Sequence, residues 1–435
     1  MRGNMTKRHW NILFTILFLG SALAAVKLIF FDYTMDEEYQ LMMGYRILRG
    51  DRLFREMWEP HQTSAFLCAG LMWIYKTLTG TYTGILLFLR LCTTFIQIAL
   101  GRYLYRILSK LLDRNYALLC ALIYFNSVPK NIQIPDFSNM QLWFFTLTVL
   151  LLMQYYLPAE PERKKKGFLV FIAGICMALE VLSYPSCIIL FPFFLICIYR
   201  YSKQTRWRDI GLFCGACAVS AGIWLFMVLH HVKADELLRN VKYLLDFDLT
   251  HEISGATAGK LQGILSNLWG GFGFILLTCA LSLPALAMIR VRNRNMEKRQ
   301  YFLIFLIMLV FISVCIQEYL WIFKKSGYEV WQLHLLLLLF SGLLTCPFAG
   351  KKRNYFIMGI IGTLLSLLAV IYISDLEMFY ALPHGILGGA FCAVILVLAL
   401  ENTLQKSAGR WICFLLVSLC VVSITGKGYT LRAGR

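Results

Sequence analysis

The chain has 435 residues, of which 59% are hydrophobic and 15% are charged, and its mean hydropathy is +0.65. These values exclude an ordinary soluble domain, because apolar runs repeatedly reach the ~20 residues that a membrane-spanning helix needs. The formal net charge is +18, but Lys and Arg stand in short clusters between apolar runs, as in cytoplasmic loops, so nucleic acid is not predicted as a partner. The sequence therefore predicts an all-α, polytopic membrane protein.

The first apolar run covers residues 10–31 and follows Arg2, Lys7 and Arg8. It continues well beyond the ~7–15 apolar residues of a signal peptide, which predicts an uncleaved first span. The basic residues before it predict a cytoplasmic N-terminus in the inner membrane. The span then delivers the densely charged segment 32–67 to the extracytoplasmic side.

The next apolar segment, 64–78, decides the predicted topology. As a helix its ~15 residues reach about 22 Å, short of a bilayer core of ~30 Å. If 64–78 lies in the outer interface, most later basic clusters become cytoplasmic, as the positive-inside rule requires. Thirteen spans are then predicted from the apolar runs, at 10–31, 82–100, 116–128, 141–157, 168–182, 187–199, 210–229, 264–289, 301–323, 330–348, 355–373, 386–400 and 411–424.

The domain organisation follows from these spans. Residues 1–435 form one transmembrane domain, with a first outer loop at 32–80 that carries juxtamembrane helices. A large outer loop is predicted at 230–262. Within it, residues 234–245 place their leucines on one face opposite charged neighbours, which predicts a second helix lying on the membrane surface.

Asp36 and Glu37 open a helical segment directly after the first span. A carboxylate just outside a membrane helix can accept the proton of an acceptor hydroxyl as that oxygen attacks an activated carbon. Thr34 and Glu37 also have the spacing of a helix capping box, so capping remains an alternative for Glu37. Asp36 is predicted to be catalytic.

Three more ionisable residues are candidates. Arg90 and Glu180 lie inside predicted spans, where an unpaired charge is costly, so each should face the protein interior. Arg90 is expected to pair with a carboxylate or a phosphate, in a substrate site or a structural ion pair, and Glu180 is one candidate partner. Asp136 lies in the second outer loop, where it either binds the sugar or acceptor or caps a helix beginning near Gln141.

The order of these elements resembles that of the GT-C class of lipid-linked-sugar glycosyltransferases. More narrowly, it is similar to the protein O-mannosyltransferases and the lipid A aminoarabinose transferases. The resemblance is specific over residues 1–140 and architectural beyond them. The elements that carry it are Asp36-Glu37, Gly50-Asp51, Trp58-Glu59-Pro60-His61 and Arg90.

This resemblance implies transfer of a sugar, with inversion, from a polyprenyl-phosphate donor to a protein, lipid or polysaccharide acceptor at the extracytoplasmic face. Asp36 takes the position of the family's general base. His61 takes that of a basic residue near the lipid phosphate, although His61-Gln62-Thr63 departs from the usual Lys-Pro-Pro or His-Pro-Pro. The residues expected to bind substrate are Glu37, Tyr39, His61, Arg90, Asp136, Glu180, Lys324 and Lys325. For Lys324 and Lys325, anchoring of the helix at lipid headgroups is an equal alternative.

No cofactor is identified by the sequence. A phosphate-binding glycine-rich loop is not found, and no ligand motif requires a metal, although a divalent ion at Asp36 and Asp136 is compatible with their chemistry. Membrane lipid is an expected partner.

Three other functions remain open. A transporter or lipid flippase would place its charges near the bilayer midplane, whereas most candidates here lie at the outer boundary. A polysaccharide polymerase or ligase would carry its catalytic loop late in the chain. A non-catalytic membrane scaffold is the third alternative.

Overall fold

The structure is a computed structural model. It describes residues 7–30, 35–59, 61–129, 132–156, 167–202, 204–246, 330–373 and 381–403, and the single positions 262, 266, 269, 273, 277, 418 and 421.

The described part of the chain is built from α-helices, with short 3-10 segments and one isolated β-bridge. This confirms the all-α prediction for those residues. In chain order the helices are α1 (Lys7–Phe30), α2 (Met35–Arg49), α3 (Ala65–Thr79), α4 (Ile85–Leu108), α5 (Arg114–Phe125), α6 (Phe137–Tyr156), α7 (Gly167–Ser183), α8 (Leu190–Tyr201), α9 (Arg206–Leu229), α10 (Ala234–Asp246), α11 (Val330–Thr345), α12 (Asn354–Ile373) and α13 (Ile386–Thr403).

Among the described residues, six segments are long and apolar enough to cross a membrane, and they correspond to α1, α4, α6, α9, α12 and α13. The protein is therefore of the multi-pass membrane type. Helices α7 and α8 are also apolar but shorter. The predicted spans 264–289, 301–323 and 411–424 lie, apart from single positions, outside the described residues, so the total of thirteen spans stays a prediction.

The helix at the second predicted span, 82–100, extends beyond the predicted end of that span. Helix α4 continues to Leu108 and carries Arg102 and Arg106 on its surface. Arg is a good helix former, and its long side chain can reach an interface from within a span, so two charges need not end a helix. The span predicted at 116–128 corresponds to α5, which has only twelve residues and reaches about 18 Å.

The interior of the bundle is formed chiefly by α6 and α13. Every residue of the apolar window around α13 is buried, and this helix packs against α5, α11 and α12. By contrast, α1 and α9 expose large apolar side chains such as Leu23 and Phe226. Exposed apolar surface of this extent is expected of helices that face lipid.

The helix predicted at 64–78 is α3, and α2 packs closely against it. Gly44 of α2 makes this approach possible. A Cβ atom at Gly44 would lie 3.0 Å from Met72 Sδ and 3.2 Å from the backbone nitrogen of Ala69. The close contact fixes the position of α2, and with it the carboxylates of its first turn.

Replacing Gly44 by Val is expected to push α2 away from α3. Overpacking of this kind costs about 1–3 kcal/mol, so the unfolding temperature of the purified protein should fall. Gly70→Val on α3 is the matched control, because a Cβ at Gly70 meets no atom within 4 Å. Equal unfolding temperatures for the two variants would contradict the proposed packing role of Gly44.

The amphipathic helix predicted at 234–245 is α10, and it packs against the turn that follows α2. Leu237 joins Leu53 and Phe54 in one apolar cluster. Phe54 has a positive φ of 60°, which is unusual for a residue with a side chain. Its amide donates to Gln62 Oε1 at 3.0 Å and its carbonyl accepts from Asn240 Nδ2 at 2.5 Å, so both backbone groups are satisfied.

Candidate active site

The first turn of α2 carries two adjacent carboxylates in different surroundings. Glu37 is fully buried, whereas Asp36 is partly exposed. Neighbouring residues of an α-helix point about 100° apart, so the helix face that buries Glu37 leaves Asp36 at its edge. The two residues are therefore suited to different roles.

Glu37 forms a buried ion pair with Arg90 of α4. Arg90 Nη2 lies 2.5 Å from Glu37 Oε2, and the two side chains are 4% and 0% exposed. Arg90 Nη1 donates to the carbonyl of Ile29 at 3.2 Å, and the amide of Gln133 donates to Glu37 Oε1 at 2.9 Å. The pair thus links α1, α2, α4 and the segment before α6.

These contacts test one of two predictions. Arg90 was expected to pair with a carboxylate or a phosphate, and the pairing with a carboxylate is confirmed. The capping-box alternative for Glu37 stays a prediction, because Thr34 lies outside the described residues.

Asp136 caps α6. Its Oδ1 accepts from the amide of Asn139 at 2.8 Å, and its side chain is buried. The capping alternative is confirmed, but α6 begins at Phe137, four residues before Gln141. Asp136 also lies near the thiol of Cys68 on α3: burial, and then the Asp136 charge, raise the pKa of Cys68 to about 12. Cys68 therefore stays protonated and is not a nucleophile.

A polar side chain of α2 holds this loop in place. Gln40 is one turn after Glu37 on the same buried face, and its Nε2 donates to the carbonyl of Pro135 at 3.1 Å and to Ser64 Oγ at 3.2 Å. The segment that carries Asp136 is thereby anchored to the helix that carries Asp36.

His61 is held in a carboxylate–histidine pair. Its Nδ1 lies 3.1 Å from Glu59 Oε1, and its backbone amide donates to Glu59 Oε2 at 2.6 Å. The imidazole stacks on Phe137 with ring centroids 4.3 Å apart and lies 4.7 Å from the ring of Tyr184. His61 is therefore packed beside the residue that follows Asp136.

Glu180 belongs to a separate buried polar network inside the bundle. Gln141 Nε2 donates to Glu180 Oε1 at 3.2 Å and to Ser366 Oγ at 2.7 Å. His384 Nδ1 lies 2.8 Å from Gln141 Oε1. The suggested partnership of Glu180 with Arg90 is wrong, because Glu37 occupies that position.

Of the three remaining predicted site residues, the structure describes only Tyr39, which lies on α2 and is 41% exposed. Lys324 and Lys325 lie outside the described residues. In the part of the chain that the structure describes, no three His, Cys, Asp or Glu side chains form a metal-binding group. A metal at Asp36 and Asp136 stays an untested prediction.

Sequence reasoning missed Gln40, Glu59, Gln141 and His384. Gln40 could have been identified from the sequence, because it lies one helical turn after Glu37 and therefore on the same face of the helix. Glu59 was quoted only as part of a motif, although a carboxylate two residues from His61 is close enough to orient it. Gln141 and His384 are 243 positions apart, so no local pattern could pair them.

No protein-family model matches this chain, and no curated protein sequence matches it either. The fold is similar to the crystal structure of the Archaeoglobus fulgidus oligosaccharyltransferase in its apo form, with a TM-score of 0.50 and 13% identity, over 97% of this chain and 56% of that one. A structure of the same enzyme tethered by a disulfide to an acceptor peptide with the NVT sequon gives 0.49 and 13%, over 97% and 55%. This chain thus spans little more than half the length of that enzyme. At this identity the likeness shows the fold alone.

Proposed function

We propose that this protein is a membrane glycosyltransferase that moves a sugar from a polyprenyl-phosphate donor to an acceptor at the extracytoplasmic face. The observation that carries the proposal is the first turn of α2. There the partly exposed Asp36 adjoins a buried Glu37–Arg90 pair. The archaeal oligosaccharyltransferase fold supports the same class of reaction.

In the proposed reaction Asp36 accepts the proton of an acceptor hydroxyl while that oxygen bonds to the anomeric carbon of the sugar. The bond between this carbon and the phosphate oxygen breaks, and its electron pair leaves with the polyprenyl phosphate. A single displacement of this kind inverts the anomeric centre, as the family resemblance implies. The acceptor is a protein, a lipid or a polysaccharide.

His61 is the proposed contact for the departing phosphate. Glu59 fixes the orientation of the ring. A hydrogen-bond donor held at this position stabilises the charge that develops on the leaving group. Lys324 and Lys325 are proposed as cations for the same phosphate.

Arg90 and Glu37 have a positioning role in this proposal. Both are almost fully buried and bonded to each other, so they fix the position of the first turn of α2, which carries Asp36. Asp136, already engaged in capping α6, similarly shapes the acceptor side of the site.

Glu59→Gln is expected to raise the donor KM about tenfold, because a hydrogen bond to a charged group contributes about 1.5–3 kcal/mol. The maximal rate should change less, since Asp36 remains intact. Asp235→Asn on α10, whose side chain is 74% exposed, is the control. A donor KM equal to that of the control would show that Glu59 and His61 do not take part in phosphate binding.

The proposal is tested by incubating purified protein in liposomes with a panel of polyprenyl-phosphate sugars and mixed acceptors. Release of free polyprenyl phosphate, measured by mass spectrometry, is expected with at least one donor. Absence of release with every donor, in protein that remains folded, would reject the proposed function.

A transporter is the second candidate, and one observation favours it. The network of Gln141, Glu180, Ser366 and His384 places a carboxylate and an imidazole inside the bundle, where transporters carry their binding groups. Accumulation of a solute within the liposomes, with no release of polyprenyl phosphate, would favour this alternative.

A further inference from the structure

Two neighbouring helices, α6 and α7, carry matching pairs of side chains, each an aromatic ring at one helix end and a polar group one turn further along. On α6 the pair is Phe137 and Gln141. On α7 the polar group is Glu180, and the ring is Tyr184, whose amide donates to the carbonyl of Glu180 at 2.8 Å directly after the helix. Because residues four apart lie on the same side of a helix, the pairs form two layers, one aromatic and one polar.

The aromatic layer, Phe137 and Tyr184, is the surface against which His61 packs. The imidazole centroid lies 4.3 Å from that of Phe137, with the rings 19° from parallel, and 4.7 Å from that of Tyr184. The side chain of His61 is only 13% exposed, and Tyr184 is 1% exposed. In so closely packed a setting, a shift of either aromatic ring moves the imidazole with it.

The polar layer, Gln141, Glu180, Ser366 and His384, joins α6 and α7 to each other and to the rest of the bundle. Gln141 is at its centre, because its Nε2 donates to Glu180 Oε1 and to Ser366 Oγ while its Oε1 lies 2.8 Å from His384 Nδ1. All four residues are 0% exposed. A buried polar group that loses its partner cannot turn to water instead, so these bonds hold the helices in one arrangement.

The two layers are in direct contact through Tyr184. Its ring meets the imidazole of His384 edge-on, with centroids 6.4 Å apart and planes at 66°, an arrangement that aromatic rings favour. Tyr184 therefore contacts both His61 and a member of the polar layer.

We infer that the polar layer positions His61, acting through the rings of the aromatic layer. The inference rests on the proposed function, because the placement of His61 matters through its contact with the departing phosphate. The members of the polar layer are positioning residues, since their complete burial keeps them from touching the donor or the acceptor. Loss of the central residue, Gln141, should therefore disturb the imidazole without removing any group that contacts the substrate.

The first test measures the accessibility of His61 in the purified full-length protein. Diethyl pyrocarbonate modifies accessible imidazole nitrogens, and mass spectrometry gives the rate at each histidine. Gln141→Leu is expected to speed the modification of His61 about threefold or more, because the lost hydrogen bonds free the aromatic layer to move. The exposed His230 and His231 serve as internal standards and should react at unchanged rates.

Gln154→Leu is the matched control for this test. Gln154 lies on the same helix about 20 Å further along and is also hydrogen-bonded, to the hydroxyl of Tyr103. Its replacement should leave the modification rate of His61 unchanged. Equal rates for His61 in Gln141→Leu and Gln154→Leu would overturn the inference.

Tyr184→Leu is a second variant, which serves if Gln141→Leu does not fold. It removes the ring that links the two layers and leaves the named hydrogen bonds of the polar layer in place. Modification of His61 should again be faster than in the wild type. A wild-type rate in folded Tyr184→Leu would also overturn the inference.

Donor kinetics separate positioning of His61 from general destabilisation. Gln141→Leu should raise the donor KM between about threefold and about tenfold, with little change in kcat, because Asp36 is untouched. In a His61→Ala background, Gln141→Leu should raise the donor KM no further, since no imidazole remains to be positioned. The same rise in both backgrounds would overturn the inference and assign the polar layer a purely structural role.

The two measurements also separate this inference from the proposed function, because the modification rate does not depend on sugar transfer. Faster modification of His61 in Gln141→Leu, with no transfer by the wild type, would support the link between the layers and reject the transferase. Transfer by Gln141→Leu with an unchanged donor KM would support the transferase and reject the positioning role.

Discussion

Asp36→Asn is expected to abolish sugar transfer while leaving donor binding intact. A general base contributes about 10²- to 10⁴-fold to a reaction rate, and Asn cannot accept the acceptor proton. Because Asp36 is partly exposed at the edge of α2, the substitution removes no buried charge and the protein should remain folded. The measurement is the single-turnover rate of polyprenyl phosphate release, together with donor binding.

Glu38→Gln is the matched control for this prediction. Glu38 follows in the same helical turn and is exposed, so its neutralisation makes the same change in net charge without touching the proposed base. Transfer by Glu38→Gln should equal that of the wild type. Sugar transfer that persists in Asp36→Asn would show that another group accepts the proton of the acceptor hydroxyl.

Breaking the Glu37–Arg90 pair is expected to cost the most stability of any substitution considered. Glu37→Gln or Arg90→Met removes one member of this buried ion pair, and such losses cost about 3–5 kcal/mol. The 2.5 Å contact and the burial of both side chains place this pair in that range. The free energy of unfolding in detergent micelles gives the measurement.

The double variant Glu37→Leu with Arg90→Leu should be more stable than either single variant, because it removes both buried charges of the pair together. The control is Arg46→Gln on the same helix. Arg46 pairs with Asp51, but these side chains are 43% and 32% exposed, so the loss is expected to stay below about 1 kcal/mol. The prediction would be wrong if breaking the exposed Arg46–Asp51 pair lowered the free energy of unfolding as much as breaking the buried Glu37–Arg90 pair.

The helices of this protein are largely predictable where an apolar or amphipathic run ends in turn residues. Helix α10 was placed to within one residue because its leucines share one face. The end of α4 was missed because the Arg residues that seemed to close the span lie on the helix. A cluster of charged residues therefore does not by itself predict a loop, because long Arg side chains on a helix can extend to water.

The candidate site was predictable in its residue types but not in its pairings. The cost of a lone charge in a span requires a carboxylate for Arg90. The sequence offered both Glu37 and Glu180, and the choice depends on tertiary packing of α2 against α4. The bond between Gln141 and His384 likewise depends on how distant helices meet.

The most direct test of the central claim is to quantify both products of one reaction. Purified wild-type protein, supplied with a polyprenyl-phosphate sugar and an acceptor, is predicted to form glycosylated acceptor and free polyprenyl phosphate in equal molar amounts, and Asp36→Asn is predicted to form neither. Wild-type protein that binds the donor yet forms neither product under these conditions would contradict the claim that this chain transfers sugar.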